Sequence, residues 1–157
     1  MMAIHGAACT ACPAGQYRPV GTKACLSAPG GYSSTTGVPT QCPVGTYSTD
    51  GMLSCLPCNP GYACDVGTTT PTPIENACPK GYYCALNGGG TAIVVTSCPP
   101  GTYGIGKFAK SVAECQTCPL GHYCVEASDD PHQHPCPPGF YCPAGSALPT
   151  ACPAGTY

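Results

Sequence analysis

The chain has 157 residues, with five Lys or Arg against seven Asp or Glu and a formal net charge of −2, and neither sign forms a run. That excludes the basic stripe a nucleic-acid binder needs and the clustered Lys and Arg that hold a protein to an anionic membrane surface. With 16 Cys, 20 Pro and 21 Gly, no Trp and only two Phe (Phe108 and Phe140), it also excludes one continuous hydrophobic core; cysteine at this density marks a disulfide scaffold, in which covalent staples replace core burial.

Disulfides persist in oxidising compartments, so the expected location is extracellular or at the cell surface. The longest apolar run, Ala92 to Val95, is far too short to span a bilayer. The opening "MMAIHGAACT" lacks the basic start and long apolar centre of an export signal. The expectation is therefore a segment of a longer polypeptide.

Read in chain order, the sequence is one motif copied. "CPAGQY" at 12 is followed by "SAPGGY" at 27, "CPVGTY" at 42, "CNPGY" at 58, "CPKGYY" at 78, "CPPGTY" at 98, "CPLGHY" at 118, "CPPGFY" at 136 and "CPAGTY" at 152. The expected organisation is one continuous array over residues 1–157, with about nine units starting near 12, 27, 42, 58, 78, 98, 118, 136 and 152. Aligned on their glycines (Gly15, Gly30, Gly45, Gly61, Gly81, Gly101, Gly121, Gly139 and Gly155), the copies take up all ten tyrosines of the chain. Fixed-period self-similarity of this kind is the signature of a repeat architecture.

Each motif position has a local reason. Pro pushes the preceding Cys towards an extended conformation, and Pro second with Gly fourth suits a type I turn that starts at the Cys. In "SAPGGY" and "CNPGY" Gly directly follows Pro, which suits type II. An aromatic on an extended segment comes next, expected to pack on the disulfide or proline of a neighbouring unit. Thr91 to Ser97 is the best strand, and Lys107 to Cys115 suits one or two helical turns. The expected fold class is therefore small disulfide-rich repeats, mostly turns and coil with short antiparallel β-hairpins, stacked into an elongated rod whose stability is nearest-neighbour in character.

The cysteines take two forms. In the long form the second Cys lies 13 or 17 residues on: Cys12 and Cys25, Cys42 and Cys55, Cys98 and Cys115. In the short form it lies six on: Cys58 and Cys64, Cys78 and Cys84, Cys118 and Cys124, Cys136 and Cys142. Cys9 and Cys152 are left over as halves of outer units, available for inter-unit or intermolecular bridges. Pairing within units is favoured because the unit at 27 to 41 lacks both halves together, with Ser27 read at the first Cys position. A rival register joins Cys25 to Cys42, Cys64 to Cys78, Cys84 to Cys98, Cys124 to Cys136 and Cys142 to Cys152, and crossed pairings are a third option. Spacing alone does not choose among them.

"CTACPAGQYRPVGTKAC" (9–25) and "CPVGTYSTDGMLSCLPC" (42–58) resemble the ephrin-receptor-like cysteine-rich repeat, a relative of the EGF-like and tumour-necrosis-factor-receptor-like modules. The short units at 78, 118 and 136 resemble variants abundant in large surface proteins of protists and algae. The resemblance covers nearly the whole chain. It implies stalks, adhesive ectodomains and fibre-forming proteins such as flagellar hairs, and it carries no catalytic residues. The unit at 27 to 41 and the inserts "GTTTPTPIENA" and "ALNGGGTAIVVTS" depart from the pattern.

Candidate sites are few. The C-x-x-C pairs Cys9/Cys12, Cys55/Cys58 and Cys115/Cys118 have zinc or redox spacing, yet each arises where a long unit abuts the next. His132 and His134, after Asp129 and Asp130, are the one local set of ligand types; the preferred reading is a polar loop between staples, so no metal and no cofactor are assigned. No nucleophile–base set, phosphate loop or rigid carboxylate pair is present, so no enzyme is expected. Thr68, Thr69, Thr70 and Thr72 form a Thr/Pro tract of the O-glycosylated kind, whereas no Asn-x-Ser/Thr acceptor occurs.

The leading expectation is a structural component of an extracellular fibre, coat or cell-surface appendage, its partners further copies of itself and glycans. A ligand-binding or adhesive receptor ectodomain is the alternative, and a small secreted inhibitor or toxin a weaker third.

Overall fold

The computed structural model describes residues 10–157, so Cys9 lies outside the described residues. The described chain is nearly all turns and coil, punctuated by short antiparallel hairpins. In order, β1 (Gln16–Tyr17) pairs with β2 (Leu26–Ser27), β3 (Tyr32–Ser33) with β4 (Thr40–Gln41), and β5 (Thr46–Tyr47) with β6 (Leu56–Pro57). Next, β7 (Tyr82–Leu86) pairs with β8 (Ile93–Ser97), β9 (Thr102–Tyr103) with β10 (Gln116–Thr117), and β11 (Phe140–Tyr141) with β12 (Thr150–Ala151). The units at 58 and 118 make the same closure as single bridges, Tyr62 to Ala77 and His122 to Pro135. In every case the residue after the motif glycine faces the residue before the next unit's first position. Unit length varies, and the hairpin loop absorbs the difference.

Two sequence expectations about local structure change. The tight turn starts at the proline, not at the cysteine: the amides of Gln16, Thr46 and Thr102 donate to the carbonyls of Pro13, Pro43 and Pro99 at 3.0, 3.2 and 3.1 Å. Gly at the third turn position has φ near +82° in Gly15 and Gly45, which makes the turn type II. "CNPGY" follows the same geometry, with Gly61 at φ +96°. In "SAPGGY" the turn runs from Pro29 to Tyr32 with Gly31, not Gly30, at φ +82°. The unit therefore shifts by one residue, and Ala28 rather than Ser27 stands in the first cysteine position, fully buried. The segment 107–115 forms only a single 3-10 turn, Val112–Glu114, because the chain there must still deliver Cys115 to its bridge.

Seven disulfides close, each inside its own unit: Cys12–Cys25, Cys42–Cys55, Cys58–Cys64, Cys78–Cys84, Cys98–Cys115, Cys118–Cys124 and Cys136–Cys142. Cys152 is a free, half-buried thiol. The long form ties the first Cys to the returning strand. The short form ties it to the residue three after the glycine. In the bridgeless unit and in the long-form units at 42 and 98, that same buried position holds a small residue, Ser34, Ser48 or Gly104, whereas the long-form unit at 12 has the exposed Arg18 there. The two serines donate to the preceding unit, Ser34 Oγ to Gln16 O at 3.0 Å and Ser48 Oγ to Tyr32 O at 2.8 Å. The bridgeless unit thus keeps a polar link at the place where its neighbours have sulfur.

Units are joined by a backbone ladder. The motif glycine of one unit donates its N–H to the residue three past the glycine of the next: Gly31 to Ser48 O, Gly61 to Cys84 O, Gly101 to Cys124 O and Gly121 to Cys142 O, at 2.8–2.9 Å. Its carbonyl accepts from the first position of the next unit, as Gly31 O does from Cys42 N and Gly139 O from Cys152 N. A second turn in the units at 58, 98, 118 and 136 reaches back to the first position of the preceding unit. The amides of Gly67, Phe108, Ala127 and Gly145 donate to the carbonyls of Cys42, Cys78, Cys98 and Cys118 at 2.8–3.1 Å, within and across this stack.

The motif glycines are where this stack is tightest. A β-carbon on Gly31 would lie inside the carbonyl of Gly67, and one on Gly101 inside that of Gly145. Units n, n+1 and n+2 therefore touch, and contacts run along the array rather than folding back on it. The accessible surface of 9579 Å² exceeds the roughly 7,300 Å² that a compact chain of this mass would show, as expected of an elongated stack.

The core is sulfur and not aromatic. Cys42, Cys58, Cys78, Cys84, Cys98, Cys118 and Cys124 are the largest fully buried side chains besides Ser34 and Ser48. One cluster gathers Cys58, Cys64, Cys78, Cys84 and Ile93, with Tyr47, Ala63 and Tyr82 leaning on it. Most tyrosines are half-buried and Tyr141 is half exposed; rings flank the cystines, and Tyr47 packs against bridges of the following units as expected from the motif. The unequal burial has a chemical consequence. Cys25, Cys55 and Cys115 are half-buried while the second cysteines of all four short units are buried. Graded reduction followed by alkylation and peptide mass mapping should label Cys152 first, then the three long-form bridges, and the short-form bridges last.

Candidate functional site

The residues singled out in the sequence are scattered by the fold. Cys55 and Cys58 belong to different disulfides, as do Cys115 and Cys118, so neither pair offers two thiolates. His132 Nδ1 lies 3.9 Å from Asp130 Oδ1, with both side chains largely exposed. The His132 amide donates to the same carboxylate at 2.9 Å, a local turn contact. His134 stacks on Tyr123 with ring centroids 5.1 Å apart. His122, unremarked in the sequence, meets His132 edge-on at 4.9 Å, and its Nδ1 is buried without a partner. The two histidines of the motif are thus split between two ring contacts. Among the described residues no group of three or more His, Cys, Asp or Glu has the arrangement to hold a metal ion.

The Thr/Pro tract is divided as well. Thr68 is part of the ladder: its carbonyl accepts from Ser48 N at 3.1 Å and its hydroxyl donates to Asp65 O at 2.7 Å. Thr70 Oγ1 accepts from the Thr72 amide at 3.4 Å. Thr69 and Thr70 are exposed, whereas Thr68 and Thr72 are half-buried.

The most developed concave feature involves residues that sequence reasoning passed over. Tyr62, just after its motif glycine, meets Phe108 from two units on, edge to face, with centroids 5.4 Å apart at 66°. Asn59, Pro60, Thr72 and Lys110 complete an open cleft of about 590 Å³. Phe108 occupies a second-turn position that is glycine at Gly67 and Gly145, and it takes φ +67° there. A bulky residue in the left-handed region costs about 1–3 kcal/mol. A large ring in a series otherwise filled by Gly67, Ala127 and Gly145 was the signal in the sequence, and it acquires meaning only once the second turns are aligned.

Together the fold and these surfaces define a cysteine-rich array of small, disulfide-stapled hairpin repeats. Compared with protein-family models and with curated proteins, the chain finds no match in either. Among the described residues no helix is long and apolar enough to cross a membrane.

Proposed function

We propose that the chain is a structural segment of an extracellular fibre, coat or cell-surface appendage, built from repeats of the ephrin-receptor-like kind. The backbone ladder carries this reading. Each unit hydrogen-bonds to the next, and its motif glycine lies under a turn of the unit after that, so the stack extends along one direction. Extended objects need this property, and a closed globular domain does not. The seven disulfides favour an oxidising, extracellular setting. Low charge favours lateral association of such rods. Exposed Thr69 and Thr70 are the acceptors best placed for O-linked sugars. Electron microscopy of native purified material tests the reading: filaments or sheets with an axial repeat are expected, and isolated globular monomers would refute it. A ligand-presenting ectodomain or stalk is the second reading, and the Tyr62–Phe108 cleft is the observation that favours it.

A further inference from the structure

We infer that the cleft between Tyr62 and Phe108 is a saccharide-binding subsite, with a preference for acidic sugars. It goes beyond the fibre reading and does not depend on it. Three observations meet there. First, the second-turn position takes positive φ in Gly67, Phe108, Ala127 and Gly145 alike, and of these only Phe108 places a ring there, on a residue 40 % exposed. Alanine meets the same turn geometry at Ala127, so the turn itself does not call for a ring, and the one at Phe108 is set against Tyr62 at the cleft. Second, the two rings meet edge to face and both line the cleft. Third, Asn59, Thr72 and Lys110 line the same cleft, and the side-chain amide, hydroxyl and ammonium they carry have no protein partner among the described residues.

This combination matches the chemistry of a pyranose. Its apolar C–H face stacks on an aromatic ring, while its equatorial hydroxyls accept from and donate to amide, hydroxyl and ammonium groups around the rim. The cleft's 590 Å³ falls within the range of about 300–1,000 Å³ typical of small-ligand sites. Lys110 lies free of any carboxylate ion pair, which favours a uronate over a neutral sugar. A proline-rich peptide is the competing occupant, since such peptides also use aromatic grooves. One edge-to-face ring pair and three polar groups fit a sugar better than a polyproline helix, which needs a series of parallel aromatic ridges.

The test is an NMR titration of the whole disulfide-bonded chain with tetragalacturonate, cellotetraose and a hexaproline peptide as probes. Tetragalacturonate should shift the Tyr62 and Phe108 ring resonances most. Phe108→Gly should weaken that binding at least tenfold while amide shifts elsewhere in the array stay in place, since glycine suits the turn. Lys110→Ala should bring tetragalacturonate down to the affinity of cellotetraose and leave cellotetraose unchanged. The inference is overturned if neither saccharide shifts these rings, if Phe108→Gly binds as the parent does, or if hexaproline binds more tightly than both sugars.

Discussion

Replacing Gly31 by alanine is expected to destabilise its part of the array by roughly 3–5 kcal/mol, whereas the same change at Gly21 costs about 1–2 kcal/mol. The two glycines have nearly the same backbone, φ +82° and +83°. Both alanines carry the steric penalty of an L-residue in the left-handed region. They differ in surroundings. Gly21 has nothing within 4 Å of where a β-carbon would sit, while at Gly31 that carbon overlaps the Gly67 carbonyl. Relief there requires the bridgeless unit and the unit at 58 to draw apart across the unit at 42 that both bond, which disrupts the bonds from Gly31 N to Ser48 O and from Gly67 N to Cys42 O, both within 3.0 Å. Amide hydrogen exchange is the appropriate measurement, because long repeat arrays do not unfold as a single two-state unit. The Gly31 and Gly67 amides should lose protection together in Gly31→Ala and keep it in Gly21→Ala. Equal effects from the two substitutions would show that close stacking of units contributes nothing.

Removing the Cys78–Cys84 bridge should have the second large effect, about 2–4 kcal/mol. Its two half-cystines are wholly buried at the centre of the sulfur cluster with Cys58, Cys64 and Ile93, so the change adds a packing defect to the loss of the cross-link. The spatial pattern is the sharper prediction. In Cys78→Ala/Cys84→Ala, protection should fall at the amides of Gly61, Gly81, Cys98 and Phe108. These bond to or from this unit. It should persist at Gly31 and Gly121, which bond elsewhere. Uniform loss along the chain would refute nearest-neighbour stability.

The bridgeless unit suggests a graded comparison. There Ala28 and Ser34 occupy the positions of a short-form pair, and the serine hydroxyl bonds to Gln16 O. By the same register, a hydroxyl at position 84 faces the Tyr62 carbonyl. Cys78→Ala/Cys84→Ser should therefore be milder than the double alanine variant by about 1 kcal/mol.

These outcomes turn on features that were unequally visible in the sequence. The repeat was legible because its residues are chemically odd: tyrosines in one register, glycines at a steady spacing and cysteines in two spacings. The strand near Ile93 was legible because β-branched residues cluster there. The turn type was not. Cys-Pro-x-Gly satisfies the local rules for a type I turn at the cysteine, yet its glycine takes positive φ in a type II turn at the proline, both under another unit's carbonyl, as at Gly45, and in the open, as at Gly121 and Gly139. The register of "SAPGGY" failed for a different reason. Gly30 and Gly31 are equivalent locally, and only Gly31 can approach Gly67 so closely. Spacing also left the cysteine partners open, and folding brings together the halves within each unit.

The candidate site divides in the same way. His132 and His134 stood out because ligand-type residues were adjacent in sequence, but a turn sends one ring towards His122 and the other towards Tyr123. Tyr62 and Phe108 are far apart in the chain and meet because units n and n+2 stack. What the amino-acid sequence determined by itself was therefore the class of object: disulfide-rich hairpin repeats without a hydrophobic core, each hairpin set by its own Pro, Gly and Cys. What only the tertiary structure decided was how units bear on one another, including the aromatic cleft and the serines that stand in for cystine. The reason is range. Turn and bridge chemistry acts within a unit, where sequence neighbours are spatial neighbours, whereas the ladder and the cleft join backbone and rings that only stacking brings into contact.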